Sequence, residues 1–213
     1  MIVESRLTPL TKQDATRALV DAYTRVTGGA PSARVLALLL AQTAFETGRW
    51  QKLHNFNFGN AKAGPGYPLI TQFRCSEVEQ GIERFFDPPD PHCNFRAYPS
   101  ASDGAVDYLK VLQSRPHWWN GLQTESPTAF VEALATSPKY FTGNPSIYTS
   151  AVASLFDEFR PLVVSAAVAP RSVWSPSPSR FSWELCGARA TGSRVALRRA
   201  RYGAPPTSGW GLK

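Results

Sequence analysis

The sequence predicts a mainly α (α+β) protein, built as one helical domain with a small β-hairpin lobe. Residues 35–45 are apolar on nearly every face of a helix, which is typical of a helix at the centre of a domain. Helix-start signals occur before and after this segment. Between them lie short β-forming runs separated by turn-forming residues, a pattern that favours a hairpin.

The first predicted helix begins at Thr11, which together with Asp14 resembles a capping box, and apolar residues follow at helical spacing. The second helix lies within residues 31–50. Gly48 suits the left-handed conformation that closes a helix, so Glu46 is expected in the last turn.

Glu46 is the first candidate for chemistry. The negative end of the helix dipole and the apolar surroundings should both raise the pKa of its carboxyl group. A carboxylic acid that is still protonated near neutral pH is what general acid catalysis requires. The sequence therefore predicts that Glu46 is a proton donor.

The lobe is predicted from the segment that follows this helix. Residues 51–66 are rich in Asn and Gly, which indicates tight turns. The β-like runs in 67–75 and 85–98 predict a hairpin, with a Gly-containing turn between them and a Pro-rich interruption in the second run. Because the connecting loop is short, the hairpin should bring three acidic residues close to Glu46: Glu77, Glu79 and Glu83.

Three further helices are predicted at 100–112, 127–135 and 145–159. The last two each begin with an N-cap residue followed by Pro, which is favoured at the first position of a helix. The loop between these two helices carries Tyr140.

Charge divides the chain into two parts. Residues 1–163 contain 15 basic and 15 acidic residues, whereas residues 164–213 contain 8 basic residues and 1 acidic residue. A neutral folded part argues against a nucleic-acid-binding face. The Pro/Ser/Arg-rich tail 164–213 is predicted to be disordered, either as an electrostatic anchor to anionic polymers or as an extension without a dedicated role.

The cysteines, the metal-binding motifs and the apolar runs limit which cofactors and cell locations the sequence predicts. Three cysteines are too few for a disulfide framework; Cys75 and Cys93 either meet across the hairpin or are free thiols. Neither CxxC nor HExxH occurs, so no metal and no cofactor is expected. The sequence shows neither a classical signal peptide nor an apolar run of membrane-spanning length, and a monomer is expected.

Five segments resemble, in order and spacing, the glucosaminidase domains of glycoside hydrolase family 73, including the peptidoglycan hydrolase domain associated with the flagellar rod. They are AQTAFETGRW, NFGNAKAG, FRCSEVE, FRAYPSASDGAVDYL and KYFTGNPSIYTSAV. The resemblance implies a lysozyme-like fold for residues 1–163. It also implies an endo-β-N-acetylglucosaminidase that cleaves the β-1,4 bond after N-acetylglucosamine in peptidoglycan glycan strands. Such an enzyme acts at the cell wall, in the periplasm or outside the cell, and some route other than a plain signal peptide must deliver it.

The resemblance also assigns roles to residues. It makes Glu46 the catalytic acid and Glu77 the second carboxylate, while Glu79 and Glu83 compete for the latter role because DPPDPHCN is an insertion in the hairpin. The implied substrate-binding residues are Asn57, Phe58 and Gly59 of the turn that shapes the cleft, Tyr140 at the cleavage subsite, and Tyr148 of the last helix.

Two alternatives stay open at this stage. One is a muramidase or lytic transglycosylase on the same fold, for which a single Glu suffices; the other is a catalytically silent wall-binding module. The mechanism is also open, because inverting, retaining and substrate-assisted routes differ in the spacing or use of the second carboxylate.

Overall fold

The computed structural model of the protein describes residues 1–79, 82–137, 140, 141 and 143–168. These residues form a helical domain with a small lobe of short strands, and the predicted fold class is confirmed. The helices are α1 (Lys12–Thr27), α2 (Ala33–Glu46), α3 (Ala101–Gln113), α4 (Pro116–Gln123), α5 (Pro127–Ala135) and α6 (Pro145–Val168). The strands are β1 (Ile2–Val3), β2 (Ile70–Gln72), β3 (Cys75–Glu79), β4 (Ile82–Phe86) and β5 (Asn94–Arg96).

The helix-start signals act as the sequence indicates. The Thr11 side chain accepts a hydrogen bond from the backbone N–H of Asp14, and its hydroxyl donates to the Asp14 carboxylate at 2.6 Å. Ser32 caps α2 and Ser126 caps α5 through the same kind of backbone N–H bond. A capping side chain satisfies a backbone donor that the helix itself leaves unpaired, which explains why these short polar residues precede the helices.

Helix α2 is the centre of the domain, as predicted. Every residue from Val35 to Ala44 is buried, and α2 packs mainly against α6, with further contacts to α1 and α4. The helix ends at Glu46, within the predicted range 31–50. Beyond it the backbone turns through three consecutive left-handed residues: Gly48, Arg49 and Trp50.

The lobe differs from the single predicted hairpin. The two predicted β-like runs do pair, since β2 is antiparallel to β5, but β1 adds a parallel strand on the other edge of β2. A second hairpin, β3–β4, occupies residues that were expected to form mainly a turn. Both of its strands contain apolar or aromatic residues among their polar ones, which favours strand pairing over a long turn.

Two helices depart from the predicted set. Helix α4 was not predicted: Pro116 does occupy its first position, but Arg115 at its N-cap provides no side-chain hydrogen bond, so the start signal is weaker than those of α5 and α6. Helix α6 continues to Val168, beyond the predicted boundary at residue 163. The prediction for the rest of the tail, residues 169–213, lies outside the described residues. Within the described ranges, no helix has the length and apolarity needed to span a membrane.

Candidate active site

A cavity of about 860 Å³ lies where the end of α2 meets the lobe. The Asn/Gly-rich loop, β3 and the segment before α6 complete its walls. A separate groove of about 730 Å³ along α1 and the end of α6 is lined mainly by aliphatic side chains and by exposed charged residues: Lys12, Arg17 and Asp21. The first cavity is the candidate active site, because the two candidate catalytic carboxylates, Glu46 and Glu77, both line it.

Glu46 is the last residue of α2 and lies half-buried in the cavity wall. Its Oε1 accepts a hydrogen bond from the Tyr148 hydroxyl at 2.6 Å, and its backbone oxygen accepts one from Nδ2 of Asn60 at 2.6 Å. Burial raises the pKa of the Glu46 carboxyl group, and hydrogen bonds from Tyr148 and Asn60 only partly offset this increase. The pKa of Glu46 is therefore raised, as predicted, and burial is the main cause.

Tyr148 lies behind the acid. Its ring stacks on Phe141 at 4.0 Å and meets the edge of Phe45 at 4.7 Å, and the residue is only 5% exposed. Its hydroxyl contacts Glu46 and also accepts a hydrogen bond from Nε2 of Gln42 at 3.3 Å. Tyr148 therefore holds Glu46 in place and has little surface left for a sugar.

Tyr140 and Gly59 meet on the cavity wall. The Tyr140 hydroxyl donates to the carbonyl oxygen of Gly59 at 2.9 Å, and its half-buried ring meets the edge of Trp118 at 5.4 Å. A Cβ atom on residue 59 would collide with the Tyr140 hydroxyl. Glycine is thus required at this position for the close approach of the loop.

Asn57 and Phe58 lie inside the protein, with 3% and 0% exposure. The Asn57 side chain donates to the carbonyl oxygens of Ala61 and Arg96, each at 3.0 Å, and accepts from the Ala61 N–H at 2.9 Å. Phe58 belongs to the hydrophobic core. Both side chains hold the loop to the core and to β5, which leaves little of either surface for direct contact with a sugar.

Glu77 projects from β3 into the cavity that contains Glu46. Its Oε1 lies 2.8 Å from Nζ of Lys62, which also donates to the His92 carbonyl oxygen and lies over the Phe95 ring at 4.0 Å. Lys62 Nζ also lies 3.5 Å from Sγ of Cys75, so Glu77 is held by a cation that is itself fixed by three further contacts.

The two competing acids are positioned differently. Glu77 is opposite Arg84 in the hairpin and Glu83 is opposite Val78, so the alternation of side chains places Glu83 on the other face of the hairpin. The side chain of Glu79 lies outside the described residues. Among the described hairpin acids, Glu77 is the one that shares the cavity with Glu46.

Among the residues that were not singled out from the sequence, three make hydrogen bonds or ion pairs that support the site: Gln42, Asn60 and Lys62. Asn60 and Lys62 lie in the NFGNAKAG segment, and the spacing of residues in a turn does not show in which direction their side chains point. Gln42 did have a signal, because it is the one amide in the otherwise apolar run of α2, and a buried amide needs partners.

The described residues contain no group of side chains suited to hold a metal ion. Cys75 and Cys93 are free thiols in this structure. Burial and the neighbouring Cys75 thiol raise the pKa of Cys93, so its thiol is kept in the unreactive protonated form.

No family model matches the sequence, and no curated protein matches it. Similar folds occur among solved structures. A mutant of the peptidoglycan hydrolase from Sphingomonas sp. A1 is 22% identical, over 72% of this chain and 99% of that chain, with a TM-score of 0.56. The peptidoglycan hydrolase from Sphingomonas sp. A1 is 23% identical, over 75% of this chain and 95% of that chain, with a TM-score of 0.52. The chain thus has the same fold as these peptidoglycan hydrolases.

Proposed function

We propose that the protein is a peptidoglycan hydrolase, specifically an endo-β-N-acetylglucosaminidase that acts on glycan strands at the cell wall. The observation that carries this proposal is the position of Glu46. Its carboxyl group lies in the wall of a large cavity, is desolvated enough to raise its pKa, and is oriented by a buried tyrosine. These are the properties of a general acid that must hold its proton near neutral pH.

In this proposal Glu46 donates its proton to the glycosidic oxygen as the bond to the anomeric carbon breaks. Positive charge then develops at the anomeric carbon and needs a negative group nearby. Glu77, on the wall of the same cavity, is the proposed second carboxylate. Water adds its oxygen to the anomeric carbon, and the proton that it releases returns to Glu46, which is thereby ready for the next turnover. Water thus supplies both the hydroxyl group and the proton that appear in the products.

Tyr140 is the proposed sugar platform, because its half-buried ring lines the cavity beside the loop that carries Gly59. Aromatic side chains provide a large, rigid apolar surface, which suits the apolar face of a pyranose ring. Its hydroxyl is already bonded to the Gly59 carbonyl oxygen, so the ring orientation is set before substrate arrives.

A lytic transglycosylase is the second candidate. It is favoured by the ion pair between Lys62 and Glu77, which ties up the second carboxylate and leaves Glu46 as the acid available to the substrate. One acid suffices for that reaction, because the substrate's own 6-hydroxyl replaces water and forms a 1,6-anhydro sugar.

Digestion of purified sacculi by the full chain, followed by mass spectrometry of the fragments, separates these functions. Reducing N-acetylglucosamine ends are expected. Reducing N-acetylmuramic acid ends would contradict the proposed specificity, and 1,6-anhydro ends would establish the second candidate.

Two variants complete this experiment. Glu46→Gln should reduce hydrolysis by about 100-fold or more, since it removes the general acid. Glu83→Gln is the matched control, because Glu83 is an exposed acid on the other hairpin face and should retain full activity. Equal hydrolysis by Glu46→Gln and the unmodified chain would contradict the role of Glu46 as the acid, and no hydrolysis by either protein would instead indicate a catalytically silent wall-binding module.

A further inference from the structure

Gln42 is a completely buried polar residue one helical turn before Glu46 on α2. Residues four apart lie on the same face of a helix, so both side chains point toward the same region. Gln42 contacts the hydroxyl groups of two tyrosines, Tyr108 of α3 and Tyr148 of α6. A buried amide with two phenol partners forms part of a polar network inside an otherwise apolar core.

The network is a chain of three hydrogen bonds that ends at Glu46. The Tyr108 hydroxyl donates to Oε1 of Gln42. Nε2 of Gln42 donates to the Tyr148 oxygen at 3.3 Å, and the Tyr148 hydroxyl donates to Oε1 of Glu46 at 2.6 Å.

The direction of this chain is set at Tyr108. A phenol has one proton to donate, and among the described residues the Tyr108 hydroxyl has Gln42 as its one hydrogen-bond partner. If the amide of Gln42 were flipped, its NH₂ group would face Tyr108, and the Tyr108 proton would be buried without an acceptor. A buried donor without an acceptor is costly, so Tyr108 selects the amide orientation that presents NH₂ to Tyr148.

The same logic applies at Tyr148. Its oxygen accepts from Gln42, so its single proton is directed to Oε1 of Glu46. Oε1 is then an acceptor in this bond and cannot donate its own proton to Tyr148. When Glu46 is protonated, the proton is thereby directed to Oε2.

We infer that Gln42 is a positioning residue, which keeps the acidic proton of Glu46 on the carboxyl oxygen that Tyr148 does not contact. This inference rests on the proposed function, in which Glu46 is the general acid. Without Gln42 the Tyr148 hydroxyl is free to rotate and to accept the Glu46 proton, which is then turned away from the glycosidic oxygen.

The tyrosines that surround Glu46 remain neutral under ordinary conditions. Burial raises the pKa of Tyr108, Tyr140 and Tyr148 well above the usual value for tyrosine, so all three keep their hydroxyl protons. The other charged or titratable groups on the cavity wall are Lys52, His54, Lys62, Arg74, Cys75, Glu77 and Arg96.

Gln42→Met in the full chain tests this inference, because methionine preserves side-chain length but removes both hydrogen bonds. Its kcat should fall about tenfold, with little change in KM, because the acid is misdirected and substrate contacts are intact. The alkaline limb of its pH–rate profile should move upward by about one pH unit, because Tyr148 can then accept the Glu46 proton, and one added hydrogen bond to the protonated carboxyl group has about this effect.

Gln123→Met is the matched control. It removes another Tyr–Gln hydrogen bond, in which the Tyr23 hydroxyl donates to Oε1 of Gln123 at 3.4 Å, away from the cavity lining. This variant should leave the pH profile unchanged. A purely structural role for Gln42 would reduce the amount of folded enzyme and leave the shape of the profile as it is, which would overturn the inference.

A second readout does not depend on hydrolysis. The pKa of Glu46 can be followed by ¹³C NMR of carboxyl-labelled glutamate, with its signal assigned by its loss in Glu46→Gln. An upward shift in Gln42→Met supports the inference even if sacculi are not cleaved, whereas inactivity of the unmodified chain contradicts the proposed function alone. If Gln42→Met does not fold, Tyr108→Phe frees the amide to flip and should shift the pKa in the same direction. An unchanged Glu46 pKa in the folded variant would overturn the inference.

Discussion

Replacing Glu46 by Gln should make the protein more stable at neutral pH while it removes the proposed activity. The amide retains an oxygen that can accept the Tyr148 hydroxyl proton at the position where Oε1 now lies, 2.6 Å away. The bond from Asn60 to the backbone oxygen of residue 46 does not involve the replaced atom, although the Asn60 side chain also favours the ionised form of the carboxyl group. The substitution therefore removes the ionisable group and leaves the local hydrogen bonds in place.

The pH dependence follows from the raised pKa of Glu46 in the folded state. Below the pKa of the unfolded chain, both states are protonated and the two proteins should have similar free energies of unfolding. As the pH rises, the unfolded chain loses its proton first, which favours unfolding of the glutamate form. The free energy of unfolding of the glutamate form therefore falls as the pH rises from the unfolded-state pKa to the folded-state pKa. The total loss is about 1.4 kcal/mol for each unit that separates the two pKa values.

Urea unfolding at about pH 4 and about pH 8 measures this difference. At the higher pH the Glu46→Gln variant should unfold at a higher urea concentration and, for a protein of this size, at a melting temperature about 2–4 °C higher per kcal/mol. Glu83→Gln serves as the control, because an exposed carboxyl group should show no such pH-dependent difference. A Glu46→Gln variant that is clearly less stable than the unmodified chain near pH 8 would refute the reasoning, since it would mean that the folded state needs the ionised carboxylate.

Two further predictions concern the cavity wall. Lys62→Met should reduce kcat about tenfold or more by releasing Glu77, while it changes the free energy of unfolding by at most about 1 kcal/mol because the pair is partly exposed. Arg6→Met, which removes a more exposed ion pair outside the cavity lining, is its control. An unchanged kcat in Lys62→Met would favour single-acid chemistry. Gly59→Ala should raise KM, because the added methyl group displaces the Tyr140 ring, and it should also lower kcat, because the same methyl group meets the Tyr108 ring of the Gln42 network. Steady-state kinetics that show an unchanged KM would exclude Tyr140 as a sugar platform.

The local features of the helices were largely predictable from the sequence. The start of α5 at Pro127 and the start of α6 at Pro145 agree with the prediction, since each signal lies within a few residues of the backbone groups it satisfies. The continuous apolar character of residues 35–45 similarly required a buried position for α2. Helix α4 escaped prediction because it begins without a side-chain cap.

Strand pairing was less predictable. The antiparallel pairing of β2 with β5 involves the two predicted runs, whereas the parallel pairing of Ile2–Val3 with β2 joins segments far apart in the chain. Short strands have weak individual preferences, and their partners are chosen by the packing of the whole lobe.

The sequence by itself determined that Glu46 ends a buried helix in an environment that raises its pKa, because the helix pattern and the apolar residues are contiguous in the chain. Only the tertiary structure decided what surrounds that carboxyl group. Tyr148 is 102 residues away and donates to it, Lys62 pairs with Glu77, and Phe58 is turned into the core. The physical reason is that side-chain hydrogen bonds and burial depend on directions in space between distant segments, which residue types and spacing do not specify.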